Sequence, residues 1–137
     1  MPVSTDDYIA IADHMARYCW AVDEGDEEGW IALWAEDGEF SGATPQPCRG
    51  REELRAVVRM AQSLGPGMMR HSIANLCCDY LDGHDRVRAR YYNQVTHWND
   101  GARIALMALA TIELVRNGAN EGGGWLIARS DNKVLMG

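Results

Sequence analysis

Residues 70–98 read RHSIANLCCDYLDGHDRVRARYYNQVTHW, and this stretch decides the fold class. Apolar and polar side chains alternate along both of its halves, and Asp82-Gly83 between them is a turn signal. Alternation with a period of two predicts strands, because successive side chains of a strand point to opposite faces. The stretch therefore predicts a long antiparallel hairpin, with strands over 70–81 and 86–98.

The alternating pattern continues in the C-terminal part of the chain. Two further runs cover 102–116 and 125–135, and turn signals precede them at Asp100-Gly101 and Gly122-Gly123-Gly124. Four consecutive strands separated by short turns predict an antiparallel meander. The run over 102–115 is apolar on both faces. This pattern is typical of a strand that helices cover on one side and a partner subunit covers on the other.

The N-terminal half has helical spacing instead. A first amphipathic helix is predicted over 5–23. Its stripe of apolar and small side chains consists of Tyr8, Ala12, Met15, Cys19 and Val22. A second, short helix carries Trp30 and Trp34, with Asp26 as its cap and Asp37-Gly38 as its end. The two helices are expected to form a hairpin.

A short strand, a loop and a third helix are predicted between this hairpin and the meander. The strand covers 39–42, the loop runs to Gly50, and the third helix carries Leu54 to Ala61 and stops at Gly65-Pro66-Gly67. Helices first and an antiparallel sheet afterwards is the order of α+β proteins. We therefore expect one domain over residues 1–137, a cone-shaped α+β fold whose N-terminal helices pack on a curved antiparallel sheet and enclose a pocket.

Composition narrows the function classes. The chain has 137 residues, of which 47% are hydrophobic and 24% charged, and this suits one domain with a core of its own. The formal net charge of -7 argues against nucleic acid or anionic lipid as a partner, because both are recognised through clustered Lys and Arg. No apolar run has the length of a membrane span, and the N-terminus lacks a basic or hydrophobic leader. We expect a cytoplasmic protein that binds a small organic molecule.

Cysteine and glycine usage bears on cofactors. Cys19, Cys48, Cys77 and Cys78 lack CxxC spacing, so we expect buried free thiols rather than disulfides or a zinc site. No glycine-rich phosphate loop follows a strand, and the sequence contains no nucleophile elbow. The sequence therefore predicts neither a metal nor an organic cofactor.

Asp23 and His71 are the strongest candidates for chemistry. Asp23 falls in the last turn of the first helix, an unusual place for a carboxylate because the helix end carries partial negative charge. His71 opens the first long strand and is expected to face the interior. A neutral imidazole beside a carboxylate is the usual proton-transfer unit, because the acid fixes the tautomer and stabilises the imidazolium. The alternatives are that Asp23 only solvates the acidic loop over 23–28, and that His71 is a core histidine bonded to the backbone.

The neighbouring strand supplies further candidates on one face. By period-two geometry this face carries Ala89, Tyr91, Asn93, Val95 and His97. We expect it to line the pocket, with the opposite, arginine-rich face in solvent. Tyr91 and Asn93 are therefore predicted to bind substrate. Asn75, on the face of the first long strand that points inward, and Tyr18, on the first helix, complete this set.

Four segments resemble the SnoaL-like branch of the nuclear-transport-factor-2-like (NTF2-like) superfamily. They are 18–23 (YCWAVD), 30–38 (WIALWAEDG), 71–75 (HSIAN) and the set of strands that ends at 125–127 (WLI). The resemblance covers nearly the whole chain and implies the cone-shaped fold. It also implies catalytic roles, since Asp23 and His71 fall where scytalone dehydratase and hexachlorocyclohexane dehydrochlorinase carry their catalytic Asp and His. His97 falls close to a second pocket histidine of scytalone dehydratase.

The residues and the resemblance together predict a small-molecule lyase, with elimination of water as the favoured reaction. His71, oriented by Asp23, would remove a proton next to an activating group while His97 or a tyrosine helps the leaving group depart. One alternative is a polyketide cyclase or ketone isomerase that uses the same pair. Another is a non-catalytic assembly subunit of the ring-hydroxylating oxygenase type.

A homo-oligomer is expected as well. The run over 102–115 has more apolar surface than one face of a sheet can bury against helices, and the remainder would form an exposed patch. The resemblance to the dehydratases implies a trimer, and a dimer is the alternative.

Overall fold

The computed structural model describes residues 1–63, 65–118 and 124–135. Its elements are α1 (Thr5–Glu24), α2 (Glu27–Ile31), β1 (Trp34–Ser41), β2 (Cys48–Arg49), α3 (Gly50–Ser63), β3 (Met69–Tyr80), β4 (Arg86–His97), β5 (Arg103–Arg116) and β6 (Trp125–Leu135). The turn predicted at Gly122-Gly123-Gly124 lies outside the described residues apart from its last glycine. Among the described residues, no helix has the length and hydrophobicity needed to span a membrane.

Within the described residues, the strands form one sheet with the order β2-β1-β6-β5-β4-β3. The four long strands pair antiparallel with their chain neighbours, as predicted. β1 lies parallel to β6, and the two-residue strand β2, in a segment predicted as a loop, pairs with β1. The helices pack on the curved, unclosed sheet, with α1 against β3 and α3 against β1. The predicted α+β architecture, with N-terminal helices on a curved, mainly antiparallel sheet, is confirmed.

α1 is bounded by residues that suit helix ends. Ser4 accepts a hydrogen bond from the Asp7 backbone N–H at its start. Gly25 follows its last residue in the left-handed conformation, with a φ of 73°, which glycine adopts without steric cost. The residues that α1 buries are Ile11, Met15, Tyr18, Cys19, Val22 and Asp23. The last turn of the helix therefore carries a carboxylate on its inner side.

The second helix is shorter than the sequence predicts. It ends at Ile31, and Trp34 begins β1 instead of belonging to a helix that runs to Asp37-Gly38. Pairing with β6 explains the difference, because Trp34 aligns with Ile127 in the parallel ladder. Trp34 and Phe40 are both buried on this strand. The burial of these two aromatic side chains and the hydrogen bonds to β6 stabilise the strand more than the few residues with helical spacing would stabilise a helix.

A bulge in β3 changes which side chains face the core. The register with β4 shifts between Ala74 and Cys77, and Asn75 has a positive φ of 60°. Strict alternation from His71 predicts that Cys77 faces inward, but the bulge reverses the alternation. Cys78 is therefore buried and Cys77 exposed, contrary to that prediction. All four cysteines are free thiols, as predicted.

Candidate active site

Asp23 and His71 are in direct contact between α1 and β3. His71 Nδ1 lies 2.6 Å from Asp23 Oδ1, and the His71 backbone N–H donates to Asp23 Oδ2 at 3.0 Å. The carboxylate is buried, since only 4% of Asp23 is exposed, so it does not solvate the acidic loop. The backbone N–H and the ring Nδ1 of His71 thus both contact the same carboxylate. The position of β3 therefore sets the orientation of the imidazole relative to Asp23.

The contact decides the tautomer of His71. An ionised carboxylate can only accept, so Nδ1 carries the proton and Nε2 presents a lone pair when the ring is neutral. Within the described residues, Nε2 makes no hydrogen bond to the protein. An imidazole held in this way can act as a general base toward a molecule in the adjoining cavity.

A cavity of about 220 Å³, which His71 helps to line, lies between the helices and the sheet. Apolar side chains form most of its wall, among them Val22, Phe40, Val57, Met60, Val95 and Leu106. Tyr18 and Phe40 in this wall also pack in an aromatic cluster with Trp30 and Trp34, whose ring centroids lie 5.2 Å to 6.5 Å apart. The cavity is a preformed site of the kind that takes a small, largely apolar molecule.

Two amides interrupt the apolar wall. Asn93 on β4 is 8% exposed, and its Oδ1 has no hydrogen-bond partner within the described residues. Asn132 on β6 donates to the Ser41 carbonyl at 3.0 Å and to Ser130 Oγ at 3.1 Å. The sequence predicts Asn93 as a site residue but not Asn132. Asn132 could have been found, because it lies two positions before the apolar Val134 and therefore on the same face of its strand. Asn93 Oδ1 is therefore a buried acceptor that the described residues leave without a partner.

The two tyrosines of the predicted site differ in position. Tyr18 lies in the cavity wall. Burial raises the pKa of the Tyr18 phenol well above its usual value, and the nearby Tyr91 and Cys19 raise it further, so the hydroxyl remains a donor. Tyr91 belongs to the core and does not line the cavity. Its hydroxyl has no partner within the described residues, and burial raises its pKa as well.

His97 and Asn75 also lie outside the cavity wall. His97 is buried at the end of β4, with its Nδ1 3.3 Å from Asn99 Oδ1. Asn75 is exposed at the bulge in β3 and borders a separate hollow between α1 and β3, which Trp20 and His71 also border. Neither His97 nor Asn75 therefore lines the cavity that Tyr18, His71 and Asn93 share.

The structure brings four of the predicted site residues together. Tyr18, His71 and Asn93 share the cavity wall, and Asp23 contacts His71. Within the part of the chain that the structure describes, no group of three His, Cys, Asp or Glu side chains is placed to hold a metal ion. The arrangement can move a proton at His71 and can exchange hydrogen bonds with a ligand through Tyr18 and Asn93.

The chain matches a known protein family. The SnoaL-like domain matches residues 3–131 of this chain. Proteins of this family include cyclases, dehydratases and isomerases, and they bind small-molecule ligands. A search of curated proteins finds no significant match.

Solved structures agree with the family match. An NTF2-like protein of cystatin-like fold from Novosphingobium aromaticivorans has a TM-score of 0.82 and 25% identity, over 96% of this chain and 84% of that chain. A protein from Catenulispora acidiphila in complex with S-DNPA has a TM-score of 0.79 and 25% identity, over 96% and 95%. A protein from Novosphingobium aromaticivorans proposed to be a scytalone dehydratase shares the fold, with a TM-score of 0.76 and 20% identity over 95% and 85%. The chain thus belongs to the SnoaL-like family of the NTF2-like superfamily.

Proposed function

We propose that this chain is a cofactor-independent lyase of the dehydratase type that acts on a small, largely apolar organic molecule. The observation that supports the proposal best is the 2.6 Å contact between Asp23 Oδ1 and His71 Nδ1 beside a cavity of about 220 Å³. The contact leaves Nε2 as the basic atom of His71. The apolar wall supports catalysis by this base, because the exclusion of water strengthens electrostatic interactions inside the cavity.

The reaction begins with the removal of a proton from carbon. His71 Nε2 takes a proton next to a carbonyl or similar activating group, and the electrons of the C–H bond form a carbon–carbon double bond as the bond to a β-hydroxyl breaks. The Asp23 carboxylate stabilises the imidazolium that forms. The imidazolium then returns its proton to the departing hydroxide, so that water leaves and His71 is neutral again.

Tyr18 and Asn93 are proposed to contact the substrate. The Tyr18 phenol, which burial keeps protonated, donates a hydrogen bond to the leaving oxygen or to the activating carbonyl. Asn93 Oδ1 accepts a hydrogen bond from a substrate hydroxyl, which would satisfy an acceptor that is unpartnered within the described residues. The substrate class that fits is a neutral β-hydroxy ketone with an apolar remainder.

A cyclase or ketone isomerase that uses the same pair is the second candidate. Enolisation followed by ring closure or a proton shift needs a base but no acid for a leaving hydroxyl. The position of His97 favours this candidate, because the residue predicted to help the leaving group lies outside the cavity wall. The mass of the product separates the two reactions, since elimination removes one water and isomerisation leaves the mass unchanged.

Proton exchange in heavy water tests the proposal without knowledge of the natural substrate. The protein is incubated in D₂O with a panel of aryl ketones and β-hydroxy ketones, and mass spectrometry follows both the uptake of deuterium and the loss of water. We expect the wild-type protein to catalyse exchange or elimination on at least one compound. His71→Ala and Asp23→Asn should each lower that rate by about 100-fold or more, because they remove the base or its orienting group.

His84→Ala is the matched control, because His84 is an exposed histidine that stacks on Tyr80 away from the cavity. This variant should keep the wild-type rate. A His71→Ala variant as active as the wild-type protein would contradict the proposal. Saturable binding of these ketones without any His71-dependent exchange would instead favour the non-catalytic binding subunit.

A further inference from the structure

Gln62, in the last turn of α3, connects three segments of the chain. Its Nε2 donates to the carbonyl of Val22 at 2.8 Å and to the carbonyl of Asp23 at 3.1 Å. Its Oε1 accepts a hydrogen bond from the Gly67 backbone N–H at 3.0 Å. All three bonds are partly buried, so water competes with them less than at the surface.

The three bonds join the two elements that carry the catalytic pair. The carbonyls belong to the last turn of α1, where helix carbonyls lack partners within the helix, and Asp23 is in this turn. Gly67 lies just before β3, the strand that carries His71. One side chain therefore holds the end of α1 and the approach to β3 at a defined separation.

Close packing supports the same role. Gly25, the residue that caps α1, lies directly against the Gln62 side chain, since a Cβ at Gly25 would be 3.2 Å from its Cγ and Cδ. The lack of a side chain at this position lets the end of α1 approach α3 closely. A larger residue at position 25 would therefore press on the side chain that makes the three bonds.

We infer that Gln62 is a positioning residue that holds the Asp23 carboxylate in register with the imidazole of His71. The consequence for catalysis rests on the function proposed above, whereas the consequence for the geometry of the pair does not. A displacement of about 1 Å of a catalytic group can lower a rate by about 100-fold, so loss of these three bonds should affect turnover more than binding.

Nuclear magnetic resonance of the His71 ring tests the geometry directly. The Nδ1–H proton, held against a carboxylate at 2.6 Å, should give a resonance at very low field that disappears in His71→Ala. In Gln62→Met, which keeps the side-chain length and removes all three bonds, this resonance should move to higher field or broaden. Gln62→Glu, which can keep only the bond from Gly67, is the second variant and should have the same effect.

Gln94→Met is the matched control. Gln94 lies on β4 between Asn93 and Val95, which line the cavity, so its side chain is on the opposite face of the sheet. This control should leave the resonance and the rate unchanged. With a ketone that the wild-type protein turns over, Gln62→Met should lower kcat by about 100-fold and change KM by less than about threefold.

The outcomes separate this inference from the proposed function. An unchanged low-field resonance in both Gln62 variants would overturn the positioning role, even if turnover depends on His71. A resonance that changes in both Gln62 variants, in a protein that turns over none of the ketones, would support the positioning role and count against the lyase.

Discussion

Asp23 is a buried carboxylate, and its hydrogen bonds account for that burial. An ionised carboxylate away from water is unfavourable unless charged or polar partners compensate. His71 supplies both its backbone N–H and its ring Nδ1–H, and the Asp23 carbonyl accepts from Gln62. Each polar atom of Asp23 that faces the interior therefore has a partner. His71 Nε2 has none among the described residues and can accept a proton from a ligand.

Replacement of Asn93 should stabilise the protein and impair its site at the same time. Asn93 Oδ1 is a buried acceptor without a partner among the described residues, and such a group lowers stability by about 1–3 kcal/mol. We expect Asn93→Leu to raise the free energy of unfolding by about 1 kcal/mol, measured by urea denaturation. The same variant should lower turnover of β-hydroxy ketones, because the substrate hydroxyl loses its acceptor.

Asn132 provides the matched control for this prediction. It lies in the same wall, but its amide donates to the Ser41 carbonyl and to Ser130 Oγ. Asn132→Leu should therefore lower the free energy of unfolding by about 1–2 kcal/mol. A loss of stability in Asn93→Leu equal to that in Asn132→Leu would show that the Asn93 amide is satisfied, contrary to the prediction.

At the scale of elements, the bulge in β3 depends on Asn75. Its φ of 60° lies in the left-handed region, which Asn adopts more readily than other residues with a side chain. The bulge reverses the alternation of β3 after the site, so that His71 and Cys78 both face inward although an odd number of positions separates them. β3 thus contributes His71 to the cavity wall near one end and Cys78 to the hydrophobic core near the other.

The effect of a substitution at Asn75 on stability should depend on whether the new residue tolerates a positive φ, and not on side-chain contacts. Asn75→Val places a β-branched residue at positive φ and should lower the free energy of unfolding by about 1–3 kcal/mol. Asn75→Gly should be close to neutral, because glycine adopts positive φ without strain. Urea denaturation measures both variants. Equal stability of the Val and Gly variants would mean that the bulge does not hold Asn75 in this conformation.

The segment over 30–38 shows that the spacing of apolar residues in a short segment can predict the wrong secondary structure. Its apolar spacing fits a helix, and the sequence predicts one, but Trp34 begins a strand that pairs with Ile127. Short apolar runs suit either structure, and the decision comes from a partner far along the chain. By contrast, the long helix α1 and the four long strands follow their predicted spans closely, because each contains enough residues for its period to be unambiguous.

At the scale of the whole molecule, the outer face of the sheet has an apolar area. Tyr92 and Leu109 are cross-strand neighbours and are 47% and 38% exposed, and Leu135 on β6 is 45% exposed. Contiguous exposed apolar side chains on a sheet often mark a contact between proteins. This placement is consistent with the proposal that the chain forms a homo-oligomer through its sheet, which remains a prediction.

Light scattering coupled to gel filtration measures the oligomer. We expect a mass of three chains of 15.2 kDa, with a dimer as the alternative. Leu109→Lys should dissociate the assembly into single chains, since a charge would be buried in the contact. Ile9→Lys, which changes a 60% exposed side chain on α1, should leave the mass unchanged. A wild-type protein that elutes with the mass of one chain would refute the prediction.

The sequence by itself proposed Asp23, His71 and Asn93 as site residues, and it determined the α+β class and the spans of the long elements. These follow from periodicity and turn signals, which act between residues close together in the chain. Only the tertiary structure decided the parallel pairing of β1 with β6, the cavity wall and the bonds of Gln62 to the ends of other elements. Such features depend on how segments far apart in the chain pack together. The pattern of residues within one segment does not contain this information.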